Sequence, residues 1–62
     1  MYAKRFYFTV DETAEDIGDD HIGNIRGARR EALKLANETG QAIMINDFST
    51  EDILDFVYPD NY

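Results

Sequence analysis

Residues 2–10 alternate with period two. Tyr2, Phe6, Phe8 and Val10 fall on one side, and Ala3, Arg5, Tyr7 and Thr9 on the other, with Lys4 the polar exception on the apolar side. Aromatic and β-branched residues suit a pleated, half-buried surface, so this pattern predicts a strand. From about Ile22 to Thr39 the period changes. At about 100° per residue, Ile25, Ala28, Ala32, Leu35 and Ala36 gather on one face of a helix. The alanines at 28, 32 and 36 make that face flat enough to lie close against a sheet. Asp19, Asp20 or Asn24 is placed to cap the start. Gly23 and Gly27 each weaken the first turns by up to about 1 kcal/mol relative to alanine. Gly40 supplies the left-handed residue that commonly follows a helix.

Residues 41–47 read as a second strand. Its run Ala42-Ile43-Met44-Ile45 is apolar on both faces, which predicts an interior position covered on at least one side. The last segment carries two competing signals. Ser49-Thr50-Glu51-Asp52 before Ile53-Leu54 has the form of a capping box opening a short helix. The β-branched and aromatic residues from Ile53 to Tyr58, with Leu54, Phe56 and Tyr58 alternating, favour a strand instead. We take the strand, with residues 46–52 as the turn of a hairpin. Residues 11–20 read as a loop with room for one helical turn at 13–17. The order is then β-α-β-β, an α+β domain with one long helix packed on a three-stranded sheet.

Length bounds what such a fold can do. Sixty-two residues make one domain, 1–62. Folding at this size hides only about 60% of the unfolded chain's surface, and its core supplies about 3–5 kcal/mol net. With no cysteine, neither disulfides nor thiolate metal sites can reinforce it. A 44% hydrophobic share still separates the chain from disordered acidic tails, so it is expected to fold, as a monomer or a small homodimer. No apolar run reaches the roughly 18–20 residues that span a bilayer. A soluble protein of a reducing cytoplasm, without membrane contact, is the expected setting. An EF-hand loop begun at Asp16 fails, because its third position is Gly18 and its sixth His21. Only loose cation binding to carboxylate pairs is left as a metal reading. His21 is the single histidine, and no Gly-rich phosphate loop accompanies it. Acid–base chemistry needs a desolvated pocket that so small a domain seldom encloses. No catalytic residue, metal or cofactor is therefore expected, and the function sought is binding.

Charge decides what kind of binding. Thirteen acids against six bases give a net charge of −7, and the two signs are segregated. Residues 11–20 hold the pairs Asp11-Glu12, Glu15-Asp16 and Asp19-Asp20, and residues 47–62 add Asp47, Glu51, Asp52, Asp55 and Asp60, with no base in either segment. The bases are Lys4 and Arg5 in the first strand and Arg26, Arg29, Arg30 and Lys34 in the helix. Arg26, Arg30 and Lys34 form a stripe beside the apolar face. Either the acidic loop folds over this stripe and neutralises it, or the molecule is bipolar and its acidic side meets a positive partner. Residues 4–10 are similar to the basic-aromatic strand of RNA-recognition modules. The glycines of that pattern are missing, however, and a −7 chain repels nucleic acid. Phe6 and Phe8 are accordingly read as core, and no direct nucleic-acid binding is expected.

Duplex DNA carries one negative charge per about 1.7 Å of axis, so a dense row of carboxylates can occupy a groove built for phosphates. In size, absence of cysteine and layout of the acids Asp11–Asp20 and Asp47–Asp60, the chain resembles phage-encoded inhibitors that imitate DNA, of the anti-CRISPR or anti-restriction kind. The resemblance implies a block on the nucleic-acid-binding site of a host defence complex. The expected contact residues are Asp11, Glu12, Glu15, Asp16, Asp19, Asp20, Glu51, Asp52 and Asp55, facing a basic nucleic-acid-binding protein. The rival from another class is a regulatory or antitoxin-like module whose partner binds an apolar surface including Tyr2, Tyr7, Phe48 or Tyr58.

Overall fold

The computed structural model describes residues 3–62. Strand β1 (Lys4–Val10) leads through an acidic loop to a short β2 (His21–Gly23), then α1 (Ile25–Thr39), β3 (Ile43–Asp47) and β4 (Ile53–Val57). The strands form one sheet in the order β2-β1-β3-β4, antiparallel throughout. The α+β class and the strand reading of residues 53–57 hold. Tyr2 lies outside the described residues.

The sheet has four strands rather than three, and the difference begins at Ile22. The helical period there is genuine but is not used: Lys4 pairs with Gly23, Arg5 with Ile22 and Phe6 with His21. Without β2, this stretch of β1 would present unpaired backbone groups along its outer edge, and pairing with the incoming chain satisfies them. The helix consequently starts three residues later than its apolar period suggests. Of the three candidate caps, Asn24 does the work: its backbone is extended, and its Oδ1 accepts a hydrogen bond from the Gly27 N–H at 2.9 Å. At the other end Gly40 sits at φ 73° and its N–H donates to the Ala36 carbonyl at 2.7 Å, closing the helix in the expected left-handed form.

One face of α1 packs on one face of the sheet. Ala28, Ala32, Leu35 and Ala36 meet Phe6, Phe8, Val10, Ile43 and Ile45, with Ile25, Ile17 and Val57 partly buried at the margin. Phe6, Phe8, Ile43 and Ile45 are the largest fully buried side chains, each contributing about 1.5–3 kcal/mol by transfer from water. All of β3 is buried, as its doubly apolar run implies for a strand between two others. Gly18 marks a close approach: at φ 69°, a Cβ there would stand 3.0 Å from a methyl group of Leu35.

Gly27 answers a different constraint. A Cβ at this position would fall 2.6 Å from Nε2 of His21, whose ring lies over the first turn of the helix. Alanine at 27 should gain up to about 1 kcal/mol of helix propensity but must displace the imidazole. We therefore expect Gly27→Ala to destabilise the native chain and to stabilise a His21→Ala chain, read as opposite shifts in melting temperature. Shifts of the same sign in both backgrounds would refute this role for His21.

Candidate functional surface

Because the helix covers only one face of the sheet, the other is open. Cross-strand pairing places Arg5 beside Ile22, Tyr7 beside Asn46, Thr9 beside Met44, Met44 beside Phe56, and Asn46 beside Ile53 on this face. Its centre is packed. The Asn46 amide nitrogen donates to the Thr9 hydroxyl and to the carbonyls of Tyr7 and Met44 at 3.0, 3.2 and 3.3 Å, and all three of Thr9, Met44 and Asn46 are buried. Its periphery is apolar and exposed: Ile22 is 67% accessible, Phe48 47%, Ile53 52% and Phe56 42%.

A bulge in β4 creates part of this surface. Ile45 pairs with Asp55 but Asn46 pairs with Ile53, leaving Leu54 as the extra residue. Leu54 therefore does not continue the alternation with Phe56 and Tyr58 that the sequence suggests. It lines a cleft at the start of the helix with Phe6 and Ile25, and Ile53 is turned onto the open face instead.

The acidic segment 11–20 does not form the helical turn expected at 13–17. Its single turn is closed by the Ala14 N–H donating to the Val10 carbonyl at 2.7 Å, and the segment does not fold over the stripe on the helix. Hydrogen bonds from Val10 N–H to the Glu15 carbonyl and from Ile17 N–H to the Phe8 carbonyl lay it along the outer edge of β1, where Asp16 bridges Thr9. Asp16 opposes Thr9 while His21 opposes Phe6, so the segment has two residues more than regular pairing needs. The excess loops out around Gly18 and Asp19. Glu15, Asp16, Asp19 and Asp20, all exposed, are thus carried beside about three residues of β1, or about 10 Å at 3.3 Å per residue. Along the axis of duplex DNA each strand carries a phosphate every 3.4 Å or so. The four carboxylates gather along a comparable length, three of them without an ion-pair partner among the described residues.

The other candidates separate. Asp11 and Glu12 lie at the far end of β1, where the Asp11 N–H donates to the Ala42 carbonyl at 3.0 Å. Glu51 and Asp52 are exposed in the turn between β3 and β4, and Glu51 joins Asp16, Tyr7 and Phe48 around an open cleft of about 420 Å³. Asp20 is partly spent: its Oδ2 accepts from Nε and Nη2 of Arg5 at 2.8 and 2.7 Å. That guanidinium also stacks 4.0 Å above the Phe48 ring, and Phe48 meets Tyr7 edge to face. Asp55 leaves the candidate surface altogether. It faces the helix, where its Oδ2 receives Arg29 Nε at 2.7 Å.

Asp47 was not among the expected contact residues, and it proves structural. Its Oδ1 accepts from the N–H groups of Ser49 and Thr50 at 2.8 and 3.2 Å, and its Oδ2 pairs with Lys4 at 3.1 Å. The signal was legible in Asp-Phe-Ser-Thr, since aspartate commonly bonds the backbone two residues on.

Asp55 also protects the sheet's edge. Asp55 points its backbone toward β3, so the Phe56 N–H points out, and it donates to Asp55 Oδ1 at 2.9 Å. The Arg29 guanidinium, against some opposing burial and with this N–H helping, holds the Asp55 carboxyl below its ordinary 3.8. Lys4 and the Ser49 N–H do the same for Asp47. A lowered folded pKa contributes stability that is complete above the unfolded value and is lost as pH falls through the folded one. The melting-temperature gap between the native chain and Asp55→Asn should therefore be open at neutral pH and close progressively below 3.8. A gap constant down to the acid limit would contradict this.

The helix bears the remaining positive charge. Arg26, Arg30 and Lys34 are exposed on α1, and among the described residues none of them has an ion-pair partner. Among the described residues no ion pair neutralises the stripe, so bases on the helix and acids along the β1 edge remain apart. Among the described residues no three His, Asp or Glu side chains converge as metal ligands would, and no helix is long and apolar enough to cross a membrane. No protein family, curated protein or solved structure matches the chain.

Proposed function

We propose that this chain is an acidic inhibitor that presents its carboxylate-rich β1 edge to the nucleic-acid-binding site of a partner protein in the cytoplasm. The observation that carries the reading is the row Glu15, Asp16, Asp19 and Asp20, held along about 10 Å of strand, of which Asp20 alone has an ion-pair partner among the described residues. Asp11 and Glu12 prolong it at one end of the sheet. Glu51 and Asp52 add charge at the turn, and Asp16 and Glu51 share one cleft. Asp55 takes no part. The likeness in size and charge layout to phage inhibitors points to a host defence complex as the kind of target.

A second reading is supported by the exposed Ile22, Phe48, Ile53 and Phe56: a regulatory or antitoxin-like module that binds through apolar surface. Exposed patches of this kind mark interaction sites. Salt separates the two. The Debye length falls from about 10 Å at 0.1 M to about 3 Å at 1 M, so capture of a partner by the immobilised chain should succeed at low salt and fail at high salt. The captured protein should bind nucleic acid. Retention undiminished at high salt would favour the apolar reading.

A further inference from the structure

The carboxylates and the apolar residues share a surface, which suggests that they bind together. The open face has Phe48, Ile53 and Phe56 exposed around it, with Asp16 and Glu51 lining the cleft beside Phe48. Arg5, the base on this face, is already committed to Asp20 and stacked on Phe48. An occupant therefore meets exposed apolar side chains around a packed centre, with the negative charge of Asp16 and Glu51 beside Phe48. We infer that the open face of the sheet seats a segment of a partner protein whose apolar or aromatic side chains are flanked by lysine or arginine. This inference rests on the proposed function for its choice of a cationic partner and adds that the contact includes the exposed apolar side chains of the open face.

Charge complementarity selects this occupant over the alternatives. A second copy would bring together two chains that each carry −7. Pairing the β4 edges of two copies about the middle of the strand would also set Asp55 beside Asp55, and like charges directly opposite are destabilising. Nucleic acid would meet the same repulsive field. A cationic segment with aromatic anchors gains at both places, because buried anchors carry most of an interface's energy while rim charges steer it into register.

The test titrates the full chain with a short synthetic peptide alternating lysine and tryptophan, and with an equally charged peptide alternating lysine and serine. We expect saturable binding of the first, with amide shifts concentrated at Tyr7, Met44, Phe48, Ile53 and Phe56. Binding of the second should be weaker by about ten-fold or more. Phe56→Ser, an exposed substitution, should weaken the tryptophan peptide by about ten-fold while leaving the serine peptide unaffected. Equal binding of both peptides, no saturable binding, or shifts confined to α1 would overturn the inference. So would a concentration-dependent dimer that shields the same residues. None of these results bears on the salt dependence of partner capture, so failure here and failure of the carboxylate reading are told apart.

Discussion

Ala32→Glu should abolish the fold. Ala32 is 0% exposed and stands where the helix meets the sheet, among Phe6, Phe8, Ile43 and Ile45. A carboxylate there finds no partner, and even protonated it must fit a space shaped for a methyl group. Burying an unpaired charge costs several kcal/mol or more, against a net stability of about 3–5 kcal/mol for a core of this size. We expect loss of the cooperative thermal transition and collapse of amide dispersion at neutral pH. The control is Lys34→Glu on the exposed side of the same helix, which should change stability by no more than about 0.5 kcal/mol. A cooperative melt for Ala32→Glu at the native temperature would mean that the helix does not pack through its alanine face.

The second large effect is on binding. Converting Glu15, Asp16 and Asp19 together to lysine moves the net charge from −7 to −1. None of the three side chains takes part in an ion pair among the described residues, so the fold should survive. Single exposed pairs contribute only about 0.2–1 kcal/mol, and no one of these acids should be decisive alone. Reversing all three removes three attractions and installs three repulsions. Partner affinity should fall by about 2–4 kcal/mol, mostly through slower association, and the loss should shrink at high salt. Unchanged affinity in a folded triple variant would exclude the carboxylate row from the contact. The partner would then be held by apolar surface, and Phe48 and Phe56 would become the sensitive positions.

The elements with the longest periodic patterns were readable in advance. The alternation of Phe6, Phe8 and Val10 and the helical spacing of Ala28, Ala32, Leu35 and Ala36 each repeat enough times to choose one geometry, and the core they imply is the core observed. Three residues cannot do this. His21, Ile22 and Gly23 become a strand because β1 has an open edge, which is a tertiary circumstance, while Ile22 in isolation fits the helical period better. The bulge at Leu54 escaped for a similar reason: a period-two pattern says which residues alternate, but not where the ladder skips one.

The candidate surface was legible as composition and not as arrangement. Segregation of acids from bases survives folding on the helix stripe, where Arg26, Arg30 and Lys34 stay unpaired among the described residues, while Lys4, Arg5 and Arg29 pair with Asp47, Asp20 and Asp55. Which acids are consumed could not be read, because Arg5 reaches Asp20 across 15 positions and Arg29 reaches Asp55 across 26. Those pairings depend on β2 lying beside β1 and on the helix crossing β4. Of the apolar surface, Tyr7 and Phe48 were legible, while Ile22 and Ile53 reach it only through the unexpected strand and the bulge.

The most direct test of phosphate imitation is displacement. The captured partner, bound to this chain at 0.1 M salt, is titrated with DNA or RNA oligonucleotides while release of the chain is followed. Competition for one site predicts that the oligonucleotide expels the chain and that excess chain expels the oligonucleotide in return. A ternary complex, with oligonucleotide and chain bound to the partner at once and neither weakening the other, would contradict it.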